Sequence, residues 1–204
     1  MAPTVEFYFD PISPYAWLAA RQCDRIEAAG ARLDWRPVLL AGLLAAHGTK
    51  GPAETPAKRA YTMRDVLRLA AQFGLLVKGP PTHPFNPLRA LRMCIALDAP
   101  DARRRFGLAL LDGAWERGLD PSDDAVLVML AQQCGLDGPR LLARAEEPDV
   151  KRRLIDVTGA AVAAGIFGVP TFRIDGELFW GADRIDALLW RLRGNSIDET
   201  LLAT

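Results

Sequence analysis

The sequence predicts an α/β protein whose strands lie near both ends of the chain and whose middle is helical. Alternating apolar and polar residues from Val5 to Asp10 indicate a first strand, and two short β-rich segments after Gly165 indicate a hairpin. The long segment between them shows helical spacing and no convincing strand. We therefore expect the order βαβ, helical insertion, ββα, with residues 1–40 and 165–204 forming one α/β domain and residues 41–164 inserted into it.

The first βαβ unit is predicted from its cap residues and its length. Ser13 and Pro14 place a hydroxyl at a helix N-cap and a proline at the first helical position. Apolar residues follow at helical spacing through Ala29, and the β-rich segment Arg32 to Val38 comes next. A crossover of this length allows the two strands to lie parallel.

The insert is predicted as a series of helices bracketed by Asp, Pro or Gly. Thr55 and Pro56 repeat the hydroxyl-proline start before a helix through Phe73. The proline-rich loop from Val77 to Pro87 cannot be helical throughout, because proline lacks the amide hydrogen that a helix needs. Further helices are expected at Pro87 to Leu97, Asp101 to Arg117, Asp120 to Cys134, Gly138 to Ala145 and Asp149 to Ala164.

The C-terminal segment combines a hairpin with a last helix. Asp175 and Gly176 stand between the β-rich segments 171–174 and 177–180, which is the sequence pattern of a tight hairpin turn. Asp183 then begins the last helix, which carries a leucine-rich apolar face.

Charge and cysteine content restrict the classes of function. The chain has 25 basic and 25 acidic side chains, which argues against nucleic acid or an anionic membrane as partner and favours a small ligand. Cys23, Cys94 and Cys134 form no CxxC pair, zinc-ligand spacing or disulfide framework, so we expect no metal and a reducing compartment. With neither a secretory leader nor an apolar run long enough for a bilayer, we expect a cytoplasmic protein.

Three motifs resemble those of one family. They are FDPISPY at residues 9–15, GVPTF at 168–172 and FWGADR at 179–184. In this order they are similar to the 2-hydroxychromene-2-carboxylate isomerases, relatives of kappa-class glutathione transferases and DsbA-type oxidoreductases, and the likeness extends through the insert. The resemblance implies a thioredoxin-like fold with a large helical insertion. In that fold a proline, usually cis, precedes the third strand and lies beside the first helix.

Ser13 stands where a thioredoxin-like oxidoreductase carries its first cysteine, and Ala16 stands where it carries the second. Without these thiols the site cannot perform dithiol-disulfide exchange. A hydroxyl at a helix N-terminus can instead donate a hydrogen bond to a bound thiolate and lower the pKa of the thiol. The resemblance implies that Ser13 is the catalytic residue and glutathione the cofactor. Alternatively, Ser13 only caps its helix.

The resemblance also implies which residues bind glutathione. Val169 would pair with the peptide through its main chain, like an added strand. Ala182 and Asp183 would hold the γ-glutamyl end, with its carboxylate on backbone amides and its ammonium facing Asp183; alternatively, Asp183 is a plain N-cap. Thr49 replaces an asparagine of the relatives, which removes an amide able to bind ligand. The expected set is Ser13, Pro14, Tyr15, Thr49, Val169, Pro170, Ala182 and Asp183.

The insert is expected to supply the pocket for a second substrate, a small aromatic carboxylate. Lys50 and Lys58 flank a Gly/Pro loop and could pair with that carboxylate or be solvated. Asn86 matches a segment that the family uses near its substrate, and would otherwise be a turn residue. Trp180 and Tyr15 are expected to border the site.

The remaining histidines and tryptophans are interpreted as structural. We expect a structural role for His83 among its prolines and for His47 at a helix C-terminus. The tryptophans expected in the core are Trp17, Trp35, Trp115 and Trp190.

The function implied by the resemblance is glutathione-dependent isomerisation of 2-hydroxychromene-2-carboxylate-type acids, in the catabolism of aromatic compounds. Reversible addition of the glutathione thiolate would give trans-o-hydroxybenzylidenepyruvate-type products, and the protein would be a homodimer. Two other enzyme activities remain open, that of a kappa-like glutathione transferase or peroxidase and that of a DsbA-type oxidoreductase. A glutathione-binding module without catalysis is the non-enzyme alternative, for which Thr49 is the best hint.

Overall fold

A four-stranded mixed sheet forms the centre of the computed structural model, which describes residues 2–198. Its strands are β1 (Thr4–Phe9), β2 (Arg32–Pro37), β3 (Thr171–Ile174) and β4 (Glu177–Trp180), in the spatial order β2-β1-β3-β4. β1 is parallel to β2 and antiparallel to β3, and β3 pairs with β4 as a hairpin. The predicted order βαβ, helical insertion, ββα is confirmed. The ends of the predicted α/β domain, residues 1 and 199–204, lie outside the described residues.

Ten α-helices occur in the described part of the chain, most of them in the insert. They are α1 (Pro14–Ala20), α2 (Cys23–Ala28), α3 (Leu40–Ala46), α4 (Pro56–Gln72), α5 (Leu88–Ile95), α6 (Pro100–Trp115), α7 (Asp124–Gln133), α8 (Gly138–Arg144), α9 (Pro148–Ala163) and α10 (Ile185–Leu192). Short 3-10 turns cover Pro52–Glu54 and Ala182–Arg184. Between residues 2 and 198, every helix is too short or too polar to cross a membrane.

The helix predicted from Ser13 to Ala29 is interrupted, and its two parts are α1 and α2. At the break, the side-chain amide of Gln22 donates to the Leu18 carbonyl at 3.2 Å. The backbone amide of Gln22 bonds to Ala19 instead, at 3.0 Å. The Leu18 carbonyl, which would accept from the Gln22 backbone amide in a continuous α-helix, therefore accepts from the Gln22 side chain.

Three predicted helix starts differ from the structure in detail. The helix predicted from Asp120 begins only at Asp124, with Asp123 as its N-cap. α4 begins after Thr55 as expected, but the Thr55 side chain makes no capping bond, and the Glu54 carboxylate accepts from the Gly51 amide at 2.6 Å. The prediction that Asp183 begins the last helix is wrong, because Asp183 lies within a 3-10 turn and α10 starts at Ile185. Its alternative role as a plain N-cap is also wrong, since Gly181 occupies that position of the turn.

The largest hydrophobic cluster joins the sheet to the insert, and a smaller one around Tyr8, Val38 and Leu43 does the same. Phe7 stacks on Phe172 with ring centroids 4.8 Å apart, and both Phe7 and Phe9 meet Trp35 edge to face. Helix α6 of the insert packs against these rings at Gly107, where an added β-carbon would lie 2.9 Å from the Phe9 ring. Absence of a side chain at this position therefore lets the helix approach the sheet closely.

The predicted core positions of three tryptophans are confirmed, and the fourth is wrong. Trp17, Trp35 and Trp115 are buried, whereas Trp190 is 40% exposed. Helix α10 buries Ile185, Leu188 and Leu189, and Trp190 lies two positions after Leu188, which turns it away from that face.

Candidate active site

Ser13 lies at the junction between strand β1 and helix α1. It is the N-cap of α1, and its hydroxyl oxygen accepts a hydrogen bond from the Ala16 amide at 3.2 Å. The same hydroxyl donates to the carbonyl of Val169 at 3.4 Å, and the side chain is only 6% exposed. The cap predicted at Ser13 is confirmed, and its second partner belongs to a segment from the other end of the chain.

The segment facing Ser13 is the loop before β3. Its Val169-Pro170 peptide bond is cis, as expected from the resemblance. The Pro170 carbonyl accepts from the Gly181 amide at 2.9 Å, and the Thr171 hydroxyl donates to the Gly168 carbonyl at 2.7 Å. These bonds hold the backbone around Val169 beside the start of α1.

The turn after β4 completes this end of the sheet. The Ala182 carbonyl accepts from the Gln22 side chain at 3.4 Å, which connects this turn to the junction between α1 and α2. The exposed Asp183 carboxylate lies close over Gly181 and pairs with Arg184 at 3.1 Å. Three segments that are distant in sequence therefore meet here, carrying Ser13, the cis proline and Ala182-Asp183.

Residues 10–13 form a turn, called the serine turn below, in which the Ser13 amide donates to the Asp10 carbonyl. The Asp10 side chain stabilises this turn, and sequence reasoning did not select it. Its carboxylate is fully buried and accepts from the amides of Ile12 at 3.0 Å and Leu40 at 2.9 Å. Burial raises the pKa of Asp10 to about 7, against the opposing effect of these two hydrogen bonds. In the sequence, Asp10 is an acidic residue immediately after an apolar strand and the second residue of the motif FDPISPY.

The carbonyls of the serine turn bond to the insert. The Trp115 indole donates to the Pro11 carbonyl at 2.9 Å, and the His83 imidazole is paired with the Ile12 carbonyl at 3.0 Å. His47, by comparison, follows α3 as its C-cap residue, and its ring lies 3.2 Å from the Ile166 carbonyl.

Tyr15 connects the first helix to the insert. Its hydroxyl donates to Asp65 of α4 at 2.9 Å, and Arg68 lies 3.7 Å from the same carboxylate. Burial and the neighbouring Asp65 raise the pKa of Tyr15, so the phenol keeps its proton. Asp65 carries no motif signal, and only the fold reveals it as the partner of Tyr15.

The polar residues expected to bind the second substrate, and Thr49 of the expected glutathione set, are exposed side chains. Lys50 and Lys58 are exposed, as is Thr49, which follows α3. Asn86 is also exposed, and its side-chain oxygen accepts from the Leu88 amide at 3.0 Å, as a turn residue does. Within residues 2–198, no hydrogen bond or ion pair links these four side chains to residues 10–13.

A cavity of about 550 Å³ lies at the start of α4. The basic residue in its wall is Arg59, which sequence reasoning did not select in place of Lys50 or Lys58. The Arg59 guanidinium also donates to the His83 carbonyl at 2.7 Å. His83 in turn contacts Ile12, so Arg59 and His83 connect the cavity to the serine turn. Its lining residues are Ala53, Glu54, Pro56, Arg59, Ala60 and Met63.

Trp180 and Phe167 form an exposed aromatic pair beside the cis-proline loop. Trp180 is 54% exposed and meets Phe167 edge to face, with ring centroids 5.0 Å apart. A β-carbon built on Gly168 would lie 2.9 Å from the indole nitrogen, so glycine permits this close approach. Trp180 thus borders the loop that faces Ser13.

No cysteine lies among the residues that meet at this site. Cys23 and Cys94 are buried, and burial raises the pKa of both thiols, which keeps them protonated. Cys134 is half-buried and donates to the Arg105 carbonyl. Over residues 2–198 there is no group of three or more His, Cys, Asp or Glu side chains able to hold a metal ion.

Comparisons with known proteins agree with this architecture. A family model described as a DSBA-like thioredoxin domain matches residues 4–193. The chain is 32% identical to 2-hydroxychromene-2-carboxylate isomerase of Sphingobium xenophagum, over 92% of this chain and 97% of the relative. It is 28% identical to glutathione S-transferase kappa 1 of Rattus norvegicus, over 94% and 92% of the two chains.

The structural comparison establishes the fold. A solved 2-hydroxychromene-2-carboxylate isomerase superposes with a TM-score of 0.87 and 23% identity, covering 93% of this chain and 94% of that chain. The expected thioredoxin-like fold of DsbA type, with helices inserted between its βαβ and ββα parts, is confirmed.

Proposed function

We propose that this chain, which belongs to the 2-hydroxychromene-2-carboxylate isomerases and has a DsbA-like thioredoxin domain, is a glutathione-dependent isomerase of unsaturated aromatic acids. The observation that carries the proposal is the position of the Ser13 hydroxyl. It is buried between the N-terminus of α1 and the cis-proline loop, at a position where dithiol oxidoreductases of this fold carry a cysteine. The reactive thiol would therefore belong to glutathione.

Ser13 would stabilise the glutathione thiolate by donating its hydroxyl proton. Its present acceptor, the Val169 carbonyl, lies at the long distance of 3.4 Å, so exchanging it for a thiolate costs little. When the Ser13 hydroxyl rotates from the Val169 carbonyl to the thiolate, its oxygen still accepts the hydrogen bond from the Ala16 amide. The first-turn dipoles of α1 add positive potential, which also lowers the pKa of the bound thiol.

The chemistry would be covalent and would consume no glutathione. The thiolate forms a C–S bond with the conjugated alkene of the ring-opened acid, and the alkene electron pair moves to the carbonyl as an enolate. Rotation about the new single bond follows. Collapse of the enolate then re-forms the double bond and expels the thiolate, so that a trans-o-hydroxybenzylidenepyruvate-type product leaves without net oxidation or reduction.

The three segments that meet near Ser13 would form the glutathione site. Val169 would bind the peptide through its main chain, and Ala182 and Asp183 would hold the γ-glutamyl end. Pro14, Tyr15 and Thr49 complete the proposed set, and Pro170 shapes the loop. The bond from Gly181 to the Pro170 carbonyl supports this arrangement, because it keeps the two loops at a constant separation.

The aromatic acid would bind between the exposed aromatic pair and the insert. Trp180 offers a ring face beside the Val169 loop. Lys50, before α4, and Lys58, in its first turn, are exposed and could attract a carboxylate. Asn86 is the proposed polar contact from the loop before α5. We further propose that the protein is a homodimer, acts in the cytoplasm and serves aromatic-compound catabolism.

The replacement Ser13→Ala tests the function. We expect the glutathione-dependent isomerisation rate kcat to fall by about a hundredfold, because the thiolate loses a hydrogen-bond donor in a buried site. The conversion of a chromene carboxylate is followed by absorbance, with saturating glutathione. Ser122→Ala, which removes an exposed hydroxyl bonded to Asp120 in the insert, is the matched control and should retain the activity of the wild type. Full activity of Ser13→Ala would contradict the mechanism.

A kappa-like transferase is the second candidate, favoured by the 28% identity to glutathione S-transferase kappa 1. Both reactions begin with a thiolate, and they differ in whether the C–S bond is broken again. Free thiol is therefore counted after many turnovers with a chromene acid and with an electrophile such as chlorodinitrobenzene. An isomerase leaves the thiol concentration unchanged, whereas conjugation consumes one glutathione per product.

A further inference from the structure

Some hydrogen bonds of the serine turn, residues 10–13, lie within the turn, and others connect it to the insert. Inside the turn, the Ser13 amide donates to the Asp10 carbonyl at 3.0 Å, and the Ile12 amide donates to the Asp10 carboxylate at 3.0 Å. Pro11 has no amide hydrogen. The Ser13 carbonyl accepts from the amides of Ala16 and Trp17 in α1. The carbonyls of Pro11 and Ile12 instead bond to side chains of the insert, Trp115 and His83.

The bond from His83 defines the state of its imidazole. A carbonyl oxygen only accepts hydrogen bonds, so the imidazole Nε2, 3.0 Å from the Ile12 carbonyl, carries a proton. Burial lowers the pKa of His83, which favours the neutral ring with its other nitrogen unprotonated. The ring also meets Trp115 edge to face at 5.3 Å. The two donors to the turn are therefore packed against each other.

His83 is itself held in place from α4. Its backbone carbonyl accepts a 2.7 Å hydrogen bond from Arg59, which lies in the wall of the cavity. A continuous series of contacts thus runs from the cavity through Arg59 and His83 to Ile12, the residue before Ser13. The insert therefore reaches the serine turn through the proline-rich loop that carries His83.

We propose that His83 is a positioning residue for Ser13. The importance of this role for catalysis rests on the proposed function. Its Nε2–H group holds the Ile12 carbonyl and thereby sets the direction in which the turn presents the serine hydroxyl. In this role His83 acts through the Ile12 carbonyl and exchanges no proton with the substrate. The insert thereby takes part in orienting the catalytic group as well as in forming the substrate pocket.

Three replacements of His83 separate the donor from the ring. His83→Gln keeps an N–H donor at the reach of Nε2, whereas the amide of His83→Asn is too short to reach the Ile12 carbonyl. His83→Phe keeps an aromatic edge for Trp115 without any donor. If the phenylalanine variant does not fold, the glutamine and asparagine pair still makes the comparison.

The primary measurement is backbone hydrogen exchange at Ile12 and Ser13 in the protein without glutathione. We expect exchange to be about tenfold faster in His83→Asn and His83→Phe, since one hydrogen bond to the turn is lost, and close to wild type in His83→Gln. With glutathione and substrate, kcat should fall about tenfold in the first two variants while KM for the aromatic acid changes little. His83→Gln should recover most of kcat.

Two results would overturn the proposal. One is exchange at Ile12 and Ser13 that stays at the wild-type rate in His83→Asn and His83→Phe. The other is a loss in all three variants that follows only their unfolding midpoints, with no recovery in His83→Gln. A wild-type protein without isomerase activity would instead contradict the proposed function, and the exchange comparison would still decide whether His83 holds the turn.

Discussion

At the scale of single residues, the serine turn contains a fully buried carboxyl group, that of Asp10. It lies where β1 ends, accepts amide hydrogen bonds from Ile12 and Leu40, and is out of contact with solvent. The two hydrogen bonds favour the charged form, and burial disfavours it more strongly, so the pKa of Asp10 is raised to about 7. The folded protein therefore binds a proton at Asp10 that the unfolded chain releases near pH 4.

The replacement Asp10→Asn tests this pKa through stability. The pKa of the folded state, about 7, is above the unfolded value of about 3.9, so the stabilisation from protonation is complete below about pH 4 and is lost as pH rises through 7. Relative to Asp10→Asn, the wild-type free energy of unfolding should fall by roughly 4 kcal/mol over this interval. Denaturant unfolding at a series of pH values from about 4 to about 8 measures the difference. Parallel curves for the two proteins would contradict the raised pKa.

At the scale of elements, the hairpin and the turn that follows it show how glycines shape the site. Asp175 and Gly176 both have positive φ, 50° and 90°, as a tight hairpin turn between β3 and β4 requires. Gly181, after β4, has φ 120° and ψ 153°, a conformation that is almost restricted to glycine. The positive φ at Gly181 directs the chain into the Ala182-Asp183 turn beside the cis proline.

Gly181→Ala and Gly176→Ala form a matched pair of variants. Both place a side chain where φ is positive and should each cost about 1–2 kcal/mol of stability. Only the new β-carbon at Gly181 would overlap the Asp183 carboxylate, because the Gly176 position is open. We expect Gly181→Ala to weaken glutathione binding about tenfold by displacing Asp183, and Gly176→Ala to bind as the wild type does. Titration calorimetry measures both, and equal affinities would remove Asp183 from the proposed site.

At the level of the complete fold, the insert and the α/β part are joined by shared hydrophobic clusters. Helix α6 approaches the sheet at Gly107 against Phe9, and the Trp17 indole of α1 donates to Asp112 of α6 at 2.9 Å. The division into residues 1–40 with 165–204 and residues 41–164 is a prediction about chain order. Because the core is continuous across that division, we expect the two parts to unfold in one cooperative transition.

Gly107→Ala tests how closely the insert is packed on the sheet. The added methyl group would lie 2.9 Å from the Phe9 ring and 3.2 Å from Trp35, so we expect a loss of about 1–3 kcal/mol in the free energy of unfolding. Gly159→Ala is the control, since Gly159 is an exposed position within α9 where an added β-carbon would meet no neighbouring atom. It should stabilise the protein by about 0.5–1 kcal/mol through helix propensity. Chemical denaturation measures both variants, and a stabilised Gly107→Ala protein would contradict this account.

Features encoded by neighbouring residues could be predicted from the sequence. The Ser13 cap, the first strand and the Asp175-Gly176 hairpin turn depend on local backbone preferences, and all three are confirmed. The alternation of burial along the first strand is only partial, since Tyr8 and Asp10 are buried as well. The last helix was less well predicted, because a 3-10 turn around Asp183 leaves no separate mark in the sequence. The position of Trp190 was wrong for a related reason, since burial of a helix face depends on the element packed against it.

The α/β order of the chain and the serine at the N-terminus of α1, in place of a cysteine, are encoded locally in the amino-acid sequence. The groups that hold this serine are brought to it by the packing of distant segments. Val169 is 156 positions from Ser13, Trp115 is 104 positions from Pro11 and His83 is 71 positions from Ile12. Hydrogen bonds over such separations follow from how the helices pack on the sheet, and no local propensity of the chain encodes them.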